Sequence, residues 1–320
     1  MGDIESRWSV FVNPGDGRPR AGWRLALQVF VLILLLTFWQ VALSGWPGSG
    51  HLLYIVYGGI ITLSVWIAAS LFDRRKLSEY GLSLSASWGR DFLFGTILGL
   101  AAMLALFLIY LGTGWAEFNG WGWERSQNNH YLITLSGYFL MMLAVGFYEE
   151  LLFRGYQTKN LAEGLRTGSI DNSTAAFSAV MITAIFFGLM HAWNPYATWI
   201  STFNIALAGV LLGLPYILTN SLALPIGLHF SWNFFQGGLF GFPVSGNPPR
   251  ESVIQLIIEG PEWITGDRFG PEGGITGSLM IILLIFVVLY YYRQLPAPEA
   301  SPTFTQPPEI LDTQQNQGNG

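Results

Sequence analysis

Eight apolar runs, each long enough to cross a membrane as a helix, dictate what this chain can fold into. They lie near 23–44, 52–72, 91–112, 132–153, 174–191, 198–218, 222–241 and 275–292. A helix needs about 20 mostly apolar residues to span the hydrocarbon core, and in lipid every backbone polar group must be satisfied within the segment. The runs therefore predict an all-α fold, a polytopic membrane helical bundle of about eight transmembrane helices. Only 11% of the residues are charged, against about 25% in a soluble domain. Tryptophan and tyrosine gather near many run ends, as at Trp23, Trp46, Trp115, Tyr131 and Trp199, where an aromatic belt is expected.

The basic residues orient the bundle. With both termini in the cytoplasm, the inner side holds Arg7, Arg18, Arg20, Arg24, Arg74, Arg75, Lys76, Arg90, Arg154, Lys159, Arg166 and Arg293, and the outer side only Arg125, Arg250 and Arg268. This bias predicts both termini inside, and the expected location is that of a multi-pass integral membrane protein in the plasma membrane of a prokaryote. The polar first 22 residues do not form a cleavable signal peptide. The chain has no cysteine, which excludes disulfides, thiolate nucleophiles and cysteine-ligated metals. No basic stripe interleaved with aromatics exists, so nucleic acid is not an expected partner.

The organisation that follows is a cytoplasmic N-terminal segment (1–22), accessory helices (23–130), a four-helix core (131–241), an extracytoplasmic loop (242–274) that is either a lid or a linker, a last helix (275–293) and a tail (294–320). The tail is rich in Pro, Gln, Thr and Gly and is expected to be disordered.

The chemistry lies in polar groups set inside three of the core runs: Glu149-Glu150-x-x-x-Arg154, Phe187-x-x-x-His191 with Asn194 close behind, and His229-x-x-x-Asn233. An ionisable side chain at the membrane centre costs about 2.5–3.5 kcal/mol on insertion scales, so such residues mark function or pairing. Successive helical residues point about 100° apart, so Glu149 and Glu150 cannot share one direction. Glu150 and Arg154 are i,i+4 and read as a structural ion pair. Glu149 is left to face a cavity, where a general base would stand. His191 beside Glu149 can hold or deprotonate a water. His229 and Asn233 present two donors on one helix face, which is what a developing oxyanion requires. The bland readings are an interhelical polar network for the glutamates and arginine, an interfacial position for His191, and a helix–helix contact for Asn233. His51 and His130 read as loop-edge residues and Asn204 as a helix–helix contact. His229 reaches the depth of Glu149 only if the 219–222 turn is sunk into the bundle.

These three motifs, in this order and in consecutive apolar segments, resemble the CAAX-type prenyl protease and bacteriocin-processing (Abi, CPBP) family of intramembrane glutamic endopeptidases. The resemblance covers about 135–240, and the basic segment from Phe72 to Leu82 resembles the loop often found before that core. It implies that Glu149 and His191 activate the attacking water, that His229 and Asn233 form the oxyanion hole, and that Glu150 and Arg154 support the site, with no cofactor and no metal. Hydrolysis is expected near the cytoplasmic half of the membrane, on a peptide or protein substrate that the bilayer also contacts. Two other readings remain. Glu149, His191 and His229 form a His₂Glu set of the kind that can hold catalytic zinc, which would make the chain a metal-dependent membrane hydrolase. A polar cavity also suits a non-catalytic transport or immunity protein.

Overall fold

The computed structural model describes residues 10–42, 50–125, 130–249, 251–294 and 304–305. Arg7, Trp46, Arg250 and most of the expected tail lie outside them. Helix α1 is Ala21–Ala42. Helix α2, Gly50–Ala68, continues through a π turn to Asp73, and α3 is Ala86–Thr113. Helix α4, Tyr131–Glu149, passes into a π segment, Glu150–Thr158, and then α5, Lys159–Leu165. Helices α6 (Asn172–Met190), α7 (Trp199–Thr219) and α8 (Ala223–Asn233) follow, α8 continuing as a π segment Phe234–Leu239, and α9 is Ile275–Gln294. The protein is an all-α, multi-pass integral membrane protein.

Seven helices among the described residues are long and apolar enough to cross a membrane. The eighth expected span, 222–241, is the exception. Helix α8 has 11 residues and its π extension 6, short of the length a lipid-facing span needs. Its burial explains the difference. Leu224, Ile226, Leu228 and Phe230 are all buried, so α8 meets protein where the other helices meet lipid.

Its main neighbour is α3, which carries Gly95-x-x-x-Gly99. Small residues at this spacing let two membrane helices approach backbone to backbone. A Cβ at Gly99 would lie 2.8 Å from Trp232 N, with Ser231 closer still, and one at Gly95 would lie 2.9 Å from Leu228 N. Helices α6 and α7 meet through the same kind of contact, Gly209 facing Ala184 and Gly213 facing Val180.

The turn between α7 and α8 is sunk into the bundle. Leu222 is fully buried, and its N–H donates to the Gly81 carbonyl. Gly81 has φ 93°, and a Cβ there would lie 2.7 Å from Leu222 N, so the position needs glycine. Lys159 Nζ ties the turn from below, donating to Glu79 O at 2.9 Å and Asn220 Oδ1 at 2.8 Å. The Phe72–Leu82 segment is thereby part of the scaffold. Its Asp73 is fully buried and accepts hydrogen bonds from Tyr80 and from Asn160 Nδ2. Glu163 of α5 pairs with Arg18, Arg24 and Arg75. The expected disorder of the tail does not extend to Phe304 and Thr305. Phe304 is buried edge-on against Tyr216, and Thr305 Oγ1 donates to Asn172 Oδ1 at 2.6 Å.

The 242–274 loop is folded and is no linker. Its strand β2, Ile254–Ile258, pairs antiparallel with β1, Ala116–Trp121, pairing Phe118 with Leu256. Asn204 of α7 donates from Nδ2 to Glu272 O and Gly274 O and accepts from Ser278 Oγ of α9, so it joins the loop as well as two helices.

The α3–α8 seam gives a direct test. Gly99→Leu forces a side chain into backbone, and overpacking of this kind costs about 1–3 kcal/mol or more. Thermal unfolding in detergent should shift down markedly, whereas Gly112→Leu, where a Cβ meets no heavy atom, should leave the midpoint unchanged.

Candidate active site

The carboxylate motif begins where α4 passes into its π segment. A π stretch is rare and occurs often at functional sites; here it widens the turn that carries Glu150 and Arg154. Thr158 Oγ1 donates to Phe153 O at 2.8 Å, and Tyr216 OH to Gly155 O at 3.3 Å, so carbonyls in the widened turn keep partners.

Glu150 and Arg154 form the expected pair. Arg154 Nη1 donates to Glu150 Oε1 at 2.9 Å, and both side chains are buried. The same oxygen accepts from His229 Nδ1 at 2.7 Å. This contact brings α8 to the carboxylate motif and settles the question of depth: with the 219–222 turn sunk, His229 lies level with Glu150. The other ring nitrogen, Nε2, lies 3.8 Å from Glu149 Oε2. The two glutamates thus take different directions, as their spacing requires, and reach opposite edges of one imidazole.

Phe187 ties the second motif to the first. Its ring lies 4.4 Å beneath the Arg154 guanidinium carbon, 4.6 Å from the His191 ring and 6.3 Å from that of His229. Its carbonyl accepts from His191 Nδ1 at 2.8 Å. A carbonyl can only accept, so Nδ1 carries the proton and the Nε2 of neutral His191 is left as an acceptor. Asn233 lies one turn beyond His229 on α8.

Glu149, His191, His229, Asn233 and Asn194 line one cavity of about 400 Å³. Glu150 and Arg154 stand behind its wall. Between the polar groups the wall is apolar, with Met141, Met142, Val145, Ile205 and Leu212. All six predicted site residues come together; His229 Nε2 approaches Glu149 directly at 3.8 Å, and no direct hydrogen bond joins His191 to Glu149. Among the described residues no three His, Asp or Glu side chains are grouped to hold a metal ion.

Other lining residues were not singled out from sequence. His51, read as a loop-edge histidine, lines the cavity and packs edge-on against Tyr138 at 5.8 Å. Ser245 and Glu272 enter from the 242–274 loop. An acid in the Gly-Pro-Glu-Gly-Gly run just before the last span was the available signal, since charge beside a span demands a reason. At the loop end the lining includes His51, Asn194, Asn247 and Pro248.

Residues 131–235 match the model of a protein family described as Rce1-like, type II CAAX prenyl endopeptidase Rce1-like. Over that third of the chain the protein is similar to the CAAX-type protease family. None of the curated proteins matches the chain. The match takes in α4 to α8, so the matched segment carries all three motifs, while α1 to α3, the folded loop and α9 lie outside it.

Removing Arg154 tests the support behind the wall. Deleting one partner of a buried ion pair costs about 3–5 kcal/mol, because the remaining charge is stranded. Arg154→Met should lower the thermal unfolding midpoint well below that of Glu149→Gln, whose side chain is partly exposed in the cavity.

Proposed function

We propose that the protein is an intramembrane endopeptidase of the glutamic type, hydrolysing a peptide bond in a membrane-associated substrate. The observation that carries this reading is the placing of Glu149 in the cavity wall beside a histidine whose far edge is held by a buried carboxylate. In this scheme a water lies between Glu149 and His191 Nε2. Glu149 takes one proton as the water oxygen attacks the scissile carbonyl carbon. The carbonyl oxygen becomes an oxyanion, accepting from the Asn233 amide and from His229 Nε2–H. Because His229 already donates from Nδ1 to Glu150, this second donation requires the imidazolium, and the Glu150 carboxylate keeps that ring in place. The proton on Glu149 then passes to the leaving nitrogen as the C–N bond breaks.

We assign 131–241 as the catalytic core and 23–130 and 275–293 as its membrane frame. The apolar walls suit an apolar or lipidated segment of the substrate, CAAX-type tails included. The distribution of Lys and Arg supports cytoplasmic termini, and we assign the protein to a prokaryotic plasma membrane.

The test is cleavage of a prenylated CAAX-type peptide and of a pool of membrane peptides by the purified protein, with and without chelator. Wild type should cleave in both conditions. Glu149→Gln and His191→Ala should not, while remaining folded. Asn233→Ala should lose about 10²–10³ in kcat, the usual effect of removing one oxyanion donor. Loss of wild-type cleavage on chelation would contradict the scheme.

A further inference from the structure

The cavity has a second polar end, at the 242–274 loop. Glu272 lies there, 3% exposed, three residues before α9. Its Oε1 accepts from the Ser245 backbone N–H at 2.5 Å and from Ser245 Oγ at 2.7 Å, and its Oε2 accepts from Trp232 Nε1 at 3.1 Å. Ser245 has φ 46°, a left-handed conformation uncommon outside glycine, which turns both of its donors onto one oxygen. All three donors are neutral. They fix the carboxylate in place and leave its charge without a counter-ion.

Glu272 is unlike the other buried acids. Asp73 is paired with Arg24, Asp91 with Arg90 and Glu150 with Arg154. Among the described residues no ion pair includes Glu272. A buried carboxylate without a cation is costly, so this one calls for a ligand. Tyr138 supplies a second, independent sign. It is 3% exposed and lines the same cavity, and its hydroxyl has no hydrogen-bond partner.

We propose that the loop end of the cavity is a cation subsite, taking a primary ammonium or guanidinium group carried on an apolar chain. Glu272 accepts the charge, the Tyr138 oxygen accepts a further N–H, and the apolar walls take the chain. Resting on the endopeptidase reading, the natural occupant is a basic side chain of the substrate, placed away from the scissile bond, and Glu272 determines specificity without taking part in the hydrolysis.

Binding tests this apart from catalysis. The probes are decylammonium and decanol, titrated into the full chain in nanodiscs of zwitterionic lipid and followed by tryptophan fluorescence. Wild type should bind decylammonium about tenfold or more tighter than Glu272→Gln, the effect of a lost charged contact. Decanol should bind both alike. Tyr138→Phe should weaken the cation by a smaller factor, and Glu149→Gln should bind both probes like wild type. Equal affinity of wild type and Glu272→Gln for decylammonium would overturn the proposal. Should Glu272→Gln also lose decanol, Glu272→Asp decides, since it keeps the charge: retained cation preference supports the subsite, and lost preference refutes it. If no peptide is ever cleaved but the cation preference holds, the endopeptidase reading fails and the subsite stands. If wild type cleaves lysine-bearing and matched glutamine-bearing peptides in the same ratio as Glu272→Gln, the assignment of the subsite to substrate fails while the endopeptidase reading stands.

Discussion

One carboxylate oxygen holds the centre of this protein together. Glu150 Oε1 accepts from Arg154 within its own helix and from His229 on α8. In an apolar interior an unpaired carboxylate is far more costly than a paired one, so these contacts favour a single relative placement of α4 and α8. The guanidinium in turn lies over Phe187, which adds α6 to the same junction. Three motifs far apart in sequence are locked together by contacts that are each local in chemistry.

The packing around this junction brings the groups within reach. Glycines on α3 let α8 approach closely, and the Phe72–Leu82 segment holds the α7–α8 turn beneath the surface through Gly81, Glu79 and Lys159. Without that sunken turn His229 would sit too shallow to meet Glu150. Parts of the chain with no polar motif of their own therefore set the registration on which the polar motifs depend.

The spans and their order were legible because apolar length is a strong signal in lipid. The Glu150–Arg154 pair was legible because i,i+4 spacing brings two side chains onto one face, and Glu149 was left for the cavity by elimination. Two things were hidden. The π segment has no simple sequence mark, and the partner of Glu149 depends on how α8 is rotated, which spacing within α8 does not reveal. Sequence set His191 beside Glu149 but carried no sign that tertiary packing would also bring His229 to 3.8 Å from it. The 242–274 loop looked featureless because its structure rests on long-range pairings, β1 with β2 and Asn204 with Glu272 and Gly274. The Gly95-x-x-x-Gly99 spacing was plainly present and would have identified α3 as more than an accessory helix.

The glycine seam also bears on how the protein is made. Helix α8 is too short, and too interrupted by Pro225 and Gly227, to enter a bilayer on hydrophobicity alone. Helix α3 is synthesised more than a hundred residues earlier and is apolar beyond Arg90 and Asp91 near its start, so it can be in the membrane when α8 emerges. It then offers a ready groove whose floor is backbone. Insertion of α8 is in this sense an act of folding rather than of partitioning, and the half of the site that α8 carries is completed only when a helix outside the family-matched segment receives it.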